Sequence, residues 1–414
     1  MDSTTEDIYK PSISKIKGKA RVLLFIIMLT AFFRNLGLSI VNIGLPKFII
    51  SLSGTLTAYG LVIGAFSITQ SIFQFPIASF SDRFGRKKIL LIGITLYIIG
   101  TFSCYFAQDI PQLIIFRAIQ GAGAYTSILQ AMIGDLFKKG RYGKGMGFYS
   151  LSMNSGYFVG IVLGGVISTY LGFRNIFSVS GLLALISGIF ILFFYKEKRI
   201  PVSNNDIYSN NGTNNTKINF SSLKDLLKRS QFIIIVLLNC IRWFLFGGIV
   251  AYLIWILQMH FNLDEMITSF LLLYIVFIYL FFVIFSSRFI DKKGPRKMML
   301  IGQSLVLIFG STFFYIDSSN NLILFLIIIS FIAMGLATYD PSGNTLLLNF
   351  IVKIDPNLKG TGLGFNNSIG FFFSALGSIA ICSAGEIFIL LPFYIIFILI
   401  LISFITALKL IKSK

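Results

Sequence analysis

Residues 81–93, SDRFGRKKILLIG, return in outline at residues 290–302, IDKKGPRKMMLIG. Asp82 aligns with Asp291, Gly85 with Gly294, Lys88 with Lys297 and Gly93 with Gly302, an offset of about half the chain. Each copy is a short basic turn set between two long apolar runs. A second pair, GKGMGF at 143–148 and GTGLGF at 360–365, matches in register. A six-helix unit present twice explains both pairs.

The apolar runs around these turns set the class of protein. The chain has 414 residues, of which 56% are hydrophobic and 12% charged, and its mean hydropathy is +0.84. Its apolar runs are about 20 residues long and greasy on every face, the length a helix needs to cross a bilayer. Reading runs against charged interruptions predicts an all-α membrane protein with twelve spans, six between residues 21 and 195 and six between 231 and 410. Residues 1–195 form an N-terminal six-helix bundle and 231–414 a C-terminal one. The Asn-rich stretch 196–230 between them is too polar to fold alone and reads as a cytoplasmic linker. Its end, FSSLKDLLKRS, has the pattern of a short amphipathic helix lying on the membrane or simply leads into the seventh span.

A formal charge of +19 would ordinarily raise nucleic-acid binding, so the placement of the 35 Lys and Arg residues matters. All but Lys47, Arg174, Arg34, Arg117 and Arg242 fall in the two tails or in alternate loops. That asymmetry is the insertion bias of inward-facing loops and not a continuous basic face. It puts both termini in the cytoplasm, as a multi-pass protein of the cell membrane without nucleic-acid partners. The polar first 20 residues lack the apolar core of a cleaved signal.

The basic turn carries a family resemblance. Asp82, Arg83, Gly85, Arg86 and Lys87 fit the Gly-x-x-x-Asp-Arg-x-Gly-Arg-Arg/Lys loop between helices 2 and 3 of the major facilitator superfamily, with Ala78 in place of the leading glycine. FRAIQGAGA (116–124) resembles the helix 4 motif of the superfamily's twelve-helix drug and metabolite exporters. GYFVGIVLGG (156–165) keeps the glycines of their helix 5 signature, Gly156, Gly160, Gly164 and Gly165, with Ile161 where a proline is usual. The resemblance implies two pseudo-symmetric bundles that rock about a central site, a small-molecule substrate, proton-coupled export and a monomer. In the residues themselves, Gly85 permits a tight turn and Arg83, Arg86 and Lys87 can pair with Asp135 beneath helix 4. Such a cluster latches one conformation, and Asp291 and Gly294 repeat the device. Glycines every fourth residue place small side chains on one face and let two helices approach closely.

Charges inside the spans mark candidate sites by default. Arg34, Arg117, Arg242 and Asp340 lie in spans 1, 4, 7 and 10, which line the cavity in the resembled family. Arg34 and Arg242 are repeat-related and close to mid-membrane. Two guanidiniums facing a cavity suit a carboxylate or phosphate, so an anion carrier is the alternative to an exporter. Each arginine can instead pair with Asp340 to close a gate. Asn35 and Gln120 join the arginines as candidate substrate contacts. Asp340 is the candidate for proton coupling, because burial disfavours its charged form while a neighbouring arginine favours it.

Other classes lack their chemistry. No phosphate-cradling Gly-x-x-x-x-Gly-Lys-Ser/Thr loop occurs. The single histidine, His260, sits in an outward loop with Asp264 and Glu265, and no nucleophile–base–acid set accompanies it. Cys104, Cys240 and Cys382 are scattered through apolar runs. No enzyme activity, metal or cofactor is expected.

Overall fold

The computed structural model describes residues 18–136, 142–195, 227–312, 321–354 and 359–412. The linker 196–226 therefore lies outside the described residues, as do the side chains of Asp82 and Asp291. Among the described residues the chain is helical throughout, without strands. The helices are α1 (Gly18–Ser51), α2 (Leu56–Phe84), α3 (Arg86–Tyr105), α4 in two segments (Ile110–Ala122 and Thr126–Leu136), α5 (Tyr142–Leu171) and α6 (Asn175–Phe194). The second set is α7 (Ser230–Trp255, running into a π-helical turn at Ile256–His260), α8 (Glu265–Lys293), α9 (Pro295–Ser311), α10 (Leu322–Ile354), α11 (Lys359–Ile387) and α12 (Leu391–Lys412).

Ten of these are single helices long and apolar enough to cross a membrane. The other two expected spans fall on α4, which is broken at Gly123–Tyr125, and on α9, which has 17 residues. The first span runs to Ser51, with Pro46 and Lys47 inside α1. Glu265, expected in a loop, opens α8.

The packing repeats between the two sets. α1 packs on α5 as α7 packs on α11, α2 on α4 as α8 on α10, and α3 on α6 as α9 on α12. Between the sets the main contacts are α2 with α11 and α8 with α5, again an equivalent pair. Lipid is as apolar as leucine, so helix association here rests on close backbone approach. A Cβ added at Gly93 would lie 2.5 Å from the Gly123 carbonyl, and one at Gly302 would lie 2.6 Å from the Gly335 carbonyl. The aligned glycines thus make the same crossing in both halves. On α5, Gly156, Gly160 and Gly164 face the backbone of α1 at Phe32, Leu36 and Ile40, and Gly165 faces Ser269 of α8. Gly160→Leu is expected to destabilise the fold by roughly 1–3 kcal/mol, the usual cost of forcing extra volume into a packed crossing. A lower melting temperature in detergent checks this, and an unchanged one counts against the crossing.

The aligned turns are also alike. Gly85 ends α2 with φ 100° and Gly294 ends α8 with φ 83°, a region that side-chain-bearing residues avoid. The next helix starts at once, with Arg86 in one half and Pro295 in the other. A proline is well placed at a first helical position because its missing N–H has no partner to lose. Pro341 lies inside α10 and removes the amide that would bond the Ala337 carbonyl. Ser286 Oγ of α8 donates to that carbonyl at 3.3 Å, so the broken turn sits next to Asp340.

Contacts between the two sets gather at the end away from the basic turns. Lys47 Nζ of α1 meets Glu265 Oε2 of α8 at 2.7 Å, and Ser168 Oγ of α5 donates to Glu265 Oε1 at 3.1 Å. Gln258 Nε2 donates to the Ile43 carbonyl at 2.8 Å, and the Thr57 amide to Glu386 Oε2 at 2.6 Å. Tyr59 packs on Trp255 with ring centroids 5.4 Å apart.

Candidate functional site

A cavity of about 570 Å³ lies between the two sets of helices, within the size range of sites for small organic ligands. Its two walls differ in kind. The wall from α1, α2, α4 and α5 carries polar side chains, among them Arg34, Asn42, Gln70, Gln74, Gln130 and Asn154. The wall from α7, α8, α10 and α11 is aliphatic and aromatic, with residues such as Ile249, Leu253, Ile275, Ile332 and Phe371. Its polar side chains are the Trp243 indole, Tyr279 and Asn367.

Arg34 projects from α1 into the polar wall and is 5% exposed. Its Nη1 donates to Asn35 Oδ1 at 3.2 Å, and its guanidinium carbon stands 5.5 Å from the Tyr125 ring centre. That ring is available because α4 breaks just before it, with Ala124 at φ 24°. Asn35 in turn donates from Nδ2 to the Met153 carbonyl of α5 at 3.1 Å. The pair Arg34 and Asn35 is therefore fixed to α5.

Arg117 borders the cavity but is 1% exposed. Its Nη1 donates to Gln120 Oε1 at 2.6 Å, and Gln120 Nε2 donates to Thr101 Oγ1 of α3 at 2.8 Å. The guanidinium carbon lies 4.8 Å from the Phe66 ring centre on α2. This chain ties three helices together, and Gln120 lies beneath the wall instead of lining it.

Arg242 and Asp340 do not line the cavity. Arg242 is 9% exposed; its Nη1 is ion-paired with Asp340 Oδ1, and its Nη2 donates to Asn344 Oδ1 at 3.1 Å. Its guanidinium carbon sits 5.2 Å from the Trp243 ring centre. The Asp340 side chain is 32% exposed, while the arginine behind it is buried. The repeat-related arginines therefore do different things. Arg34 faces the cavity, whereas Arg242 turns to α10.

At the basic end, Arg86 pairs with Asp135 through Nε, and its Nη2 also donates to Asp135 Oδ1 at 3.4 Å. This links α3 to the second segment of α4. Lys87 Nζ donates to the Leu192 carbonyl of α6 at 2.8 Å, and the Arg83 guanidinium carbon lies 5.4 Å from the Phe84 ring centre. These contacts lie within the first six helices.

Sequence reading had not singled out the aromatic residues Trp243 and Tyr279 or the pair of Lys47 with Glu265. The pair left one trace, since Lys47 was one of only two basic residues in the outward loops. The aromatic wall left none, because Phe occurs in every span and Tyr in most of them. Among the described residues no group of acids, histidines and cysteines forms a metal-binding cluster.

The comparisons with known proteins agree with this architecture. A family model described as Major Facilitator Superfamily matches residues 27–378. An uncharacterized MFS-type transporter of Methanocaldococcus jannaschii is 23% identical over 364 residues, 87% of this chain and 91% of the relative. Multidrug resistance protein MdtG of Proteus mirabilis is 35% identical over 171 residues, 39% of this chain and 40% of the relative. Against the first curated relatives, the matched stretch spans 37%, 38% and 34% of their lengths. Among solved structures, a bacterial homolog of the human lysosomal transporter Spinster, in an inward-facing and unoccupied conformation, superposes with a TM-score of 0.79 at 15% identity, covering 96% of this chain and 99% of that one. These are transporters and not enzymes. The chain is a multi-pass membrane protein and belongs to the Major Facilitator Superfamily.

Proposed function

We propose that this chain works by alternating access as a secondary transporter that exports a small amphipathic organic compound from the cytoplasm in exchange for protons. The observation that carries the coupling is the pair of Asp340 with Arg242. A partly exposed carboxylate is the sole ionic partner of the buried Arg242 guanidinium among the described residues. Proton uptake by Asp340 removes the charge that Arg242 leans on, so the packing of α7 against α10 changes with protonation. A coupling ion acts only through such a difference between states.

Residues 1–195 and 231–414 then move as two units about the α2–α11 and α5–α8 contacts. If the basic loops face the cytoplasm, the contacts around Lys47 and Glu265 close the outward end and the cavity is reached from inside. The stretch shared with a multidrug resistance protein supports export of organic compounds. No ATP is needed in this scheme, since the proton gradient supplies the work.

The test is flux in proteoliposomes holding a pH-sensitive dye, with amphipathic organic acids, amines and alcohols supplied in turn. The expected result is saturable, substrate-stimulated proton movement that is absent from protein-free liposomes. Substrate movement that is indifferent to an imposed pH gradient would overturn the coupling.

A further inference from the structure

We infer that the cavity takes an amphipathic organic anion, with its acid group against Arg34 and its apolar body against the α7, α8, α10 and α11 wall. This rests on the transporter reading above and adds the sign of the substrate's charge and the way it lies.

The charge comes first. Arg34 is 5% exposed and has one neutral hydrogen-bond partner, Asn35, while its Nε has none among the described residues. No acidic side chain lines the cavity among the described residues. Arg117 adds a second positive charge at the rim of the same wall, bound to a neutral glutamine. Arg242 is different, because Asp340 offsets it and it does not reach the space. A buried guanidinium without a counter-ion is costly, and an incoming carboxylate, sulfonate or phosphate ester supplies one in bidentate form.

Next come the neutral polar atoms. Gln70 is 1% exposed and both atoms of its amide lack a partner among the described residues. Ser39 Oγ and Thr126 Oγ1 are buried in the same wall and equally unpartnered. Buried polar groups are nearly always satisfied, and these can donate to the oxygens that the Arg34 fork leaves over. A hydroxyl or amide substrate would satisfy them too, but would leave the arginine without compensation.

The opposite wall then excludes a small inorganic anion. Phosphate or sulfate held at Arg34 would leave the surface of Ile249, Leu253, Ile275, Ile332 and Phe371 facing water. An apolar body that covers it gains roughly 25 cal/mol for each Å² removed from water. A cation with the same body fits the apolar wall but meets Arg34 and Arg117 with like charge.

The experiment reads binding without transport. The chain has two tryptophans; Trp243 lines the cavity and Trp255 packs on Tyr59 away from it. In a Trp255→Phe background, Trp243 fluorescence reports occupancy in purified protein. The probes are 4-phenylbutyrate, 4-phenylbutanol, 4-phenylbutylamine and inorganic phosphate. The acid is expected to bind at least tenfold more tightly than the other three. Arg34→Gln should bring the acid down to the level of the alcohol, Arg34→Lys should keep part of the preference, and Gln70→Leu should weaken the acid more than the alcohol. Equal or tighter binding of the amine or alcohol overturns the inference, as does phosphate binding as well as the acid, or an unchanged ranking in a folded Arg34→Gln. Should that variant not fold, the ranking in the intact protein decides. Binding of the acid without proton-linked flux overturns the coupling and leaves this inference standing; proton-linked flux of amines alone does the reverse.

Discussion

Asp340→Asn is expected to reduce substrate-stimulated proton movement at least a hundredfold while leaving ligand binding to Trp243 within about threefold of wild type. Asparagine has the shape of the carboxylic acid but cannot take up a proton, so the exchange that links the two fluxes is lost. Binding survives because Asp340 does not border the cavity. The substitution also leaves Arg242 with Asn344 and an amide in place of a carboxylate. Losing one partner of a buried pair costs several kcal/mol, but Asp340 is 32% exposed, so a loss of about 1–3 kcal/mol fits better. Removing both charges with Arg242→Gln/Asp340→Asn should return most of that stability, since no lone buried charge remains. It should not return coupling. Melting temperature and dye-reported proton flux, measured side by side on the single and double variants, separate the two effects. Recovery of proton flux in the double variant would remove Asp340 from the proton path.

How much of this was legible before the structure follows from the physics of each signal. Span positions and the repeat were readable because twenty apolar residues in a row, and paired turns such as Gly85 and Gly294, are local properties of the chain. The break in α4 was not readable, since FRAIQGAGA reads as one helical stretch and only packing against Arg34 and Tyr97 gives the turned-out Tyr125 a purpose. Arg34 and Arg242 looked equivalent because they occupy matching positions in the repeat. What separates them is one residue on another helix, Asp340, which pairs with Arg242 alone among the described residues. The difference between the two cavity walls was equally hidden. Each span has both polar and apolar faces, and the sequence does not say which faces meet.

The latch at the far end from the basic turns was hidden for the same reason, because Lys47 and Glu265 are separated by 218 positions. The pair has the features of a state-specific contact. Glu265 is the first residue of α8, where the helix dipole favours a negative charge, and its side chain is 5% exposed against 35% for Lys47. It also accepts from Ser168, so one carboxylate holds α1 and α5 of the first set to α8 of the second. Parting the sets at this end breaks both contacts at once, and the carboxylate must then find water.

Glu265→Gln is therefore expected to shift the population toward the form open at the Lys47 end by about five- to thirtyfold, corresponding to roughly 1–2 kcal/mol of lost closure. The amide keeps the size of the side chain and can still bond Ser168, so the loss measures the charge. Lys47→Met should act in the same direction but more weakly, because Lys47 is half-buried and already reaches water. Spin labels or fluorophores on the loops after α1 and before α8, read as a distance distribution, give the two populations directly. A distribution in Glu265→Gln that matches wild type at neutral pH means that the glycine-lined α5–α8 contact, with Gly165 against Ser269, holds this end closed by itself. A shift in the predicted direction, together with slower return of the substrate-free carrier in the flux assay, means that the ion pair sets the balance between the two states.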